Sequence, residues 1–189
     1  MDEKLLASIE GKKRELDKNR PLNPSIARKL QEQLALEWTY NSNAIEGNTL
    51  TFHETEVVLE QGITIGGKSI NEHLEAINHN DGIEFIKRII NQKEVLNESV
   101  IRECHRIILK GIDDLEAGAY RRTNVRIVGA RMIPPQAIKV KNQMNDLLSW
   151  YYENMHTLPA AVLSAKFHYR FVCIHPFIDG NGRVARLLM

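Results

Sequence analysis

Residues 160–189 read AAVLSAKFHYRFVCIHPFIDGNGRVARLLM. Apolar residues from Ala160 to about Val172 recur at helical spacing, a loop rich in glycine, aspartate and asparagine follows, and helical character resumes in RVARLLM. A helix that restarts after such a loop offers the unpaired N–H groups of its first turn and the positive end of its dipole, an arrangement suited to phosphate. Gly180 and Gly182 flank Asn181, so the backbone can come close to an anion. Arg183 and Arg186, three apart, are expected to share a face and point toward the same anion. Asp179 stands just before the glycines, where a carboxylate repels phosphate unless a cation lies between, and Mg2+ favours one or two carboxylates plus phosphate oxygens. His175 opens the loop and titrates near neutrality, which makes it a candidate to take a proton from an incoming hydroxyl. Pro176 and Phe177 are read as shaping and anchoring the loop. Singly these residues have plainer readings, a structural histidine and a simple turn at Asp179-Gly180-Asn181-Gly182. Their combination within one loop points to a polyphosphate site.

Working outward, apolar residues recur at intervals of three and four through most of the chain: Leu5, Ile9 and Leu16; Ile26, Leu30, Leu34 and Trp38; Leu74, Ile77, Phe85 and Ile89; Val100, Ile101, Ile107 and Ile108. These spacings predict helices over 3–18, 24–43, 52–61, 69–91, 97–109, 135–154, 159–172 and 181–189, an all-α protein. Asn23-Pro24, Asn97 and Pro134-Pro135 mark helix starts. Two stretches interrupt the pattern. Gly62 to Ser69, with Gly66-Gly67, reads as a connector. Residues 119–133 place β-branched Val125, Ile127 and Val128 before a turn at Gly129-Ala130, the pattern of a short β-hairpin.

With 189 residues, the chain has the size of one domain that needs neither disulfide nor structural metal. The 43% hydrophobic and 26% charged residues argue against disorder and against a membrane protein. A net charge of +1, from 25 Lys and Arg against 24 Asp and Glu, is too small to gather nucleic acid, so anion binding must be local. The first twenty residues alternate charged and apolar side chains and lack a signal-peptide stretch, which makes a cytoplasmic location the expectation. Cys104 and Cys173 are expected to be two buried thiols.

The loop resembles the signature His-Pro-Phe-x-Asp-Gly-Asn-Gly-Arg-x-x-Arg of the Fic-domain family, with His175, Pro176, Phe177, Asp179, Gly180, Asn181, Gly182, Arg183 and Arg186 at its fixed positions. The resemblance implies a Fic-type helical bundle that transfers AMP from ATP to a Ser, Thr or Tyr hydroxyl of a target protein. His175 would be the general base and Asp179 would hold Mg2+. Gly180, Asn181 and Gly182 would form the anion hole, with Arg183 assisting and Arg186 reaching the terminal phosphate. Relatives that transfer phosphate in the opposite sense depart at the aspartate and glycine positions, which this chain keeps. By the same resemblance, the hairpin, at Val125, Arg126, Ile127 and Val128, would be a flap that holds a target segment by backbone pairing. A hairpin that only covers the core is an equal reading. Arg121 is assigned a structural role.

Ser42-Asn-Ala-Ile-Glu46-Gly47 matches a second family pattern, Ser/Thr-x-x-x-Glu-Gly/Asn, in which the glutamate of an inhibitory helix pairs with the second arginine of the loop. That would join Glu46 to Arg186 and deny the ATP γ-phosphate its partner. The expected organisation is an N-terminal helical region over 1–40 and a Fic domain over 41–189 that contains the inhibitory motif and whose C-terminal part continues past Met189. Self-modification is a further expectation, and a second copy of the chain is a candidate partner. Two alternatives stay open: a hydrolase that removes AMP from a target with Glu46 orienting water, and a non-catalytic nucleotide-sensing module.

Overall fold

The computed structural model describes residues 3–127 and 129–189. Its helices are α1 (Glu3–Lys18), α2 (Pro24–Ile45), α3 (Phe52–Gln61), α4 (Ile70–Asn91), α5 (Glu98–Leu109), α6 (Val140–Asn154, entered through a 3-10 turn at Ala137–Lys139), α7 (Ala160–Ile174) and α8 (Asn181–Leu187). The starts follow local chemistry. Asn23 caps α2 through Ser25 N–H with Pro24 in the first turn, and Asn97 caps α5 through Val100 N–H. Thr51 with Glu54 and Ser69 with Glu72 form capping boxes at α3 and α4.

The core is built where α4, α5, α6, α7 and α8 converge, around Ile101, Ile108, Met144, Phe167, Phe171 and Val184, all at most 2% exposed. Short α8 packs against α2, α4, α5 and α7, so the segment after the glycine loop sits at the hub of the bundle. Phe177 of the loop is itself fully buried, stacked 3.6 Å from the His105 ring on α5. Burying that ring fastens the loop to the core.

Three expectations change. The stripe Ile26, Leu30, Leu34 and Trp38 is exposed, and α2 instead buries Ala35, Thr39, Ser42 and Asn43. Small and polar side chains let α2 lie close to α4 and α8, while Leu34 and Trp38 line an apolar groove of about 600 Å³ with Ile83, Ile90 and Phe167. The hairpin over 119–133 has its turn, with Ala130 N–H donating to Ile127 C=O at 3.2 Å, but no strand among the described residues. Its arms are joined at the base by the Arg121 side chain, which donates to both Thr123 C=O and Pro135 C=O, and a two-stranded ribbon alone is marginal in water. Of the flap residues named above, Val128 lies outside the described residues. Cys104 is buried as expected, whereas Cys173 is only half-buried. No helix among the described residues is long and apolar enough to cross a membrane.

Candidate active site

The loop begins where α7 ends. His175 caps that helix in the left-handed region (φ 50°, ψ 61°), its N–H donating to Phe171 C=O. A residue with a side chain is strained there, and buried Arg121 holds it. The Arg121 guanidinium donates to the carbonyls of His175 (2.8 Å), Thr123 (3.0 Å) and Pro135 (2.6 Å), and the Arg121 N–H donates to Pro176 C=O. The His175 ring is half-buried, and burial pushes its pKa below the ordinary value, opposed by the Val172 carbonyl, Glu46 and Asp179. A neutral imidazole can accept a proton.

Asn181 closes the loop on itself. Its Oδ1 accepts from Phe177 N–H and its Nδ2 donates to Phe177 C=O, both at 2.9 Å. With the side chain bonded inside the loop, its backbone N–H is left for an anion. Gly180 takes φ 72°, and a Cβ there would also meet the His105 ring at 3.3 Å. It starts α8, whose first-turn N–H groups face the loop without helical partners.

The two arginines do not converge on one point. Arg183 is 2% exposed, 3.0 Å from Asp179 Oδ2 and 3.2 Å from Glu75 Oε1 on α4. Its Nε and Nη1 are buried without an aligned hydrogen-bond acceptor, two donors still to be satisfied. Arg186 turns to α2 instead. Its Nε donates to Ser42 Oγ (2.9 Å), and its Nη2 donates to Ser42 C=O (2.9 Å) and to Glu46 Oε1 (2.6 Å). Gly182 leaves room for this pair, since a Cβ there would stand 2.3 Å from Glu46 Oε1. Ser42 and Glu46, one helical turn apart, thus meet Arg186 across 144 and 140 positions of sequence. Gly47 follows with φ 98° and turns the chain out of α2.

The Asp179 side chain is largely exposed at the rim, and no group of three or more metal-ligating side chains occurs among the described residues. A single carboxylate beside a phosphate site suits Mg2+, which completes its shell with phosphate oxygens and water.

The motifs do not include two histidines and a glutamate that build the site. His105 is fully buried; Gly118 N–H donates to its Nδ1 at 2.8 Å, so the proton sits on Nε2, which donates to Asp179 C=O at 3.0 Å. Burial pushes its pKa down to about 4. His79 on α4 is also fully buried, with Nδ1 3.2 Å from Thr39 Oγ1 and Trp38 edge-on to its ring. Burial, then the charges of Arg186 and Arg183, push its pKa down to about 3. The available signal was a histidine on an otherwise apolar stripe: His105 between Ile101 and Ile108, His79 between Ala76 and Ile83. Nothing in the sequence marks Glu75.

Residues 95–189 match the profile of the Fic/DOC family. Over 193 residues the chain is 35% identical to the protein adenylyltransferase Fic of Drosophila willistoni, covering 100% of this chain and 38% of that protein. It is 36% identical over 194 residues to the protein adenylyltransferase Fic of Nematostella vectensis, of which it covers 44%. The chain therefore spans less than half the length of these curated relatives. Among solved structures, a Fic domain containing signaling protein from Bacteroides thetaiotaomicron superposes with a TM-score of 0.85 at 37% identity, over 91% of this chain and 66% of that one. Fic-1 from Caenorhabditis elegans superposes at 0.81 with 33% identity, over 97% and 57%. With half of its residues, the His175 loop among them, matching that profile, the chain belongs to the Fic/DOC family.

Proposed function

We propose that this chain transfers AMP from ATP to a hydroxyl of a protein target and that its resting form is held off by Glu46. The Arg186–Glu46 contact, made across 140 positions by a 2.6 Å charge-assisted hydrogen bond, carries the reading. His175 accepts the proton of the attacking Ser, Thr or Tyr oxygen as that oxygen bonds to the α-phosphorus, and the bond from phosphorus to the departing diphosphate breaks. The α8 N–H groups, Gly180 and Gly182 face the phosphates, and the Arg183 charge assists from behind them. Mg2+ held by Asp179 would neutralise phosphate charge. Arg186 is the partner of the terminal phosphate, and while Glu46 and Ser42 occupy its guanidinium, ATP lacks that anchor and meets a carboxylate. Relatives named protein adenylyltransferases support the reaction class.

On this reading residues 41–189 act as one unit, the segment near 125–127 lies beside the loop to receive a target, and a hydroxyl of the same chain or of a second copy can serve as acceptor. Glu46→Gly is expected to raise AMP incorporation from labelled ATP and Mg2+, and His175→Ala to abolish it. Equal incorporation by wild type and Glu46→Gly would remove the brake from the account. A second reading is hydrolysis of AMP from a modified target with Glu46, a carboxylate of the same site, orienting water. Incubating an AMP-modified protein with wild type and with Glu46→Gly separates the two, because only hydrolysis requires the glutamate.

A further inference from the structure

A carboxylate outside both motifs lies between the two halves of the site. Glu75 brings Oε1 to 3.2 Å from Arg183 Nη1, while its Oε2 accepts from Asn48 Nδ2 at 2.8 Å. Asn48 is the second residue past Glu46. The same amide also donates to Glu72 C=O at 3.0 Å, and Asn48 Oδ1 accepts from Leu50 N–H at 3.0 Å. Thr49 donates to the Glu72 carboxylate from its N–H (2.9 Å) and its hydroxyl (2.6 Å), and Asn43 Nδ2 donates to Glu75 C=O at 3.2 Å. The stretch from Asn43 to Leu50 is thus fastened to the turn of α4 between Glu72 and Glu75, and that turn also holds Arg183. Because Arg183 Nε and Nη1 lack aligned hydrogen-bond partners, its placement depends on the two flanking carboxylates, Asp179 and Glu75.

We propose that Glu75 is a positioning residue that couples the end of the inhibitory segment, through Asn48, to Arg183. The proposal rests on the brake reading given above and adds its anchor. Glu46 projects from the last turn before this tether, so the hold of Glu75 on Asn48 keeps Glu46 aimed at Arg186. Coupling is reciprocal: phosphates that draw Arg183 toward the loop pull on the carboxylate that anchors the brake.

The test combines Asn48→Ala and Glu75→Gln with Glu46→Gly. A hydrogen bond to a charged group is worth about tenfold or more in population. Asn48→Ala is therefore expected to raise AMP transfer on the order of tenfold with Glu46 in place, to add nothing when Glu46→Gly is already present, and to speed amide exchange over residues 43–50. Glu75→Gln keeps an acceptor for Asn48 but removes the charge beside Arg183. In the Glu46→Gly background it is expected to raise KM for ATP on the order of tenfold with kcat nearly unchanged. A merely structural side chain would instead lower kcat and leave KM alone. Asn48→Ala lowering transfer by one factor in both backgrounds, or leaving exchange over 43–50 unaltered, overturns the coupling. Should Glu46→Gly transfer no AMP while Asn48→Ala still speeds exchange there, the assigned reaction fails and the anchor stands.

Discussion

Replacing His105 by Phe and lowering the pH test the same bond from two sides. Gly118 N–H can only donate, so His105 Nδ1 must be unprotonated in the fold, and a protonated ring would set two donors 2.8 Å apart. Burial accordingly holds the pKa at about 4, against about 6.5 unfolded. A folded-state value below the unfolded one means that the native protein binds fewer protons. The stability is complete above the unfolded value and is lost as pH falls from about 6.5 toward about 4. Going from about pH 7.5 to about pH 5, linkage gives a loss of about 2 kcal/mol from His105. His79, at about 3, contributes about the same over that interval. His105→Phe can keep a ring stacked on Phe177 and leaves the buried Gly118 N–H unpaired, at about 1–3 kcal/mol. Urea unfolding at both pH values is the assay. The variant is expected to start less stable and then to lose about 2 kcal/mol less than wild type on acidification. An identical loss in both proteins would refute the assigned tautomer.

Ser42→Ala removes one of the three hydrogen bonds that hold Arg186 on α2, so basal AMP transfer is expected to rise, by less than in Glu46→Gly, in a side-by-side rate measurement. Gly182→Ala places a methyl 2.3 Å from Glu46 Oε1. It is expected to destabilise the wild type in urea unfolding and to cost distinctly less in the Glu46→Gly background, where that atom is gone. Arg121→Lys cannot reach the carbonyls of His175, Thr123 and Pro135 together, and about 3 kcal/mol of stability and most AMP transfer are expected to go with it.

Helical spacing, the helix starts at Asn23 and Asn97, and the glycine-rich loop were legible in the chain because they are local, whereas the capping boxes of Thr51 and Ser69 came from the structure. Each depends on residues within a turn or two. The segment from Ser42 to Gly47 was legible as a pattern, and its contact with Arg186 was expected through the family resemblance. Which face of α2 turns inward was not: Ile26, Leu30, Leu34 and Trp38 make the stronger stripe, yet the packing face is Ala35, Thr39, Ser42 and Asn43. Close approach to α4 and α8 depends on side-chain volume on three helices at once, and periodicity reads only one. That no strand forms among the described residues of 119–133 has a similar origin, because β-branched residues favour extended backbone while a ladder needs a partner strand.

From the residues alone came a helical chain and a glycine-rich loop from His175 to Arg186, and from the family resemblance the expectation that Glu46 meets Arg186. Packing alone shows that Arg183 and Arg186 face different carboxylates, that His105 props the loop from beneath, and that Glu75 stands between Asn48 and Arg183. These partners are far apart along the chain. Hydrogen bonds and ion pairs between residues 27 to 144 positions apart exist only after the core has brought α2, α4, α5 and α8 together.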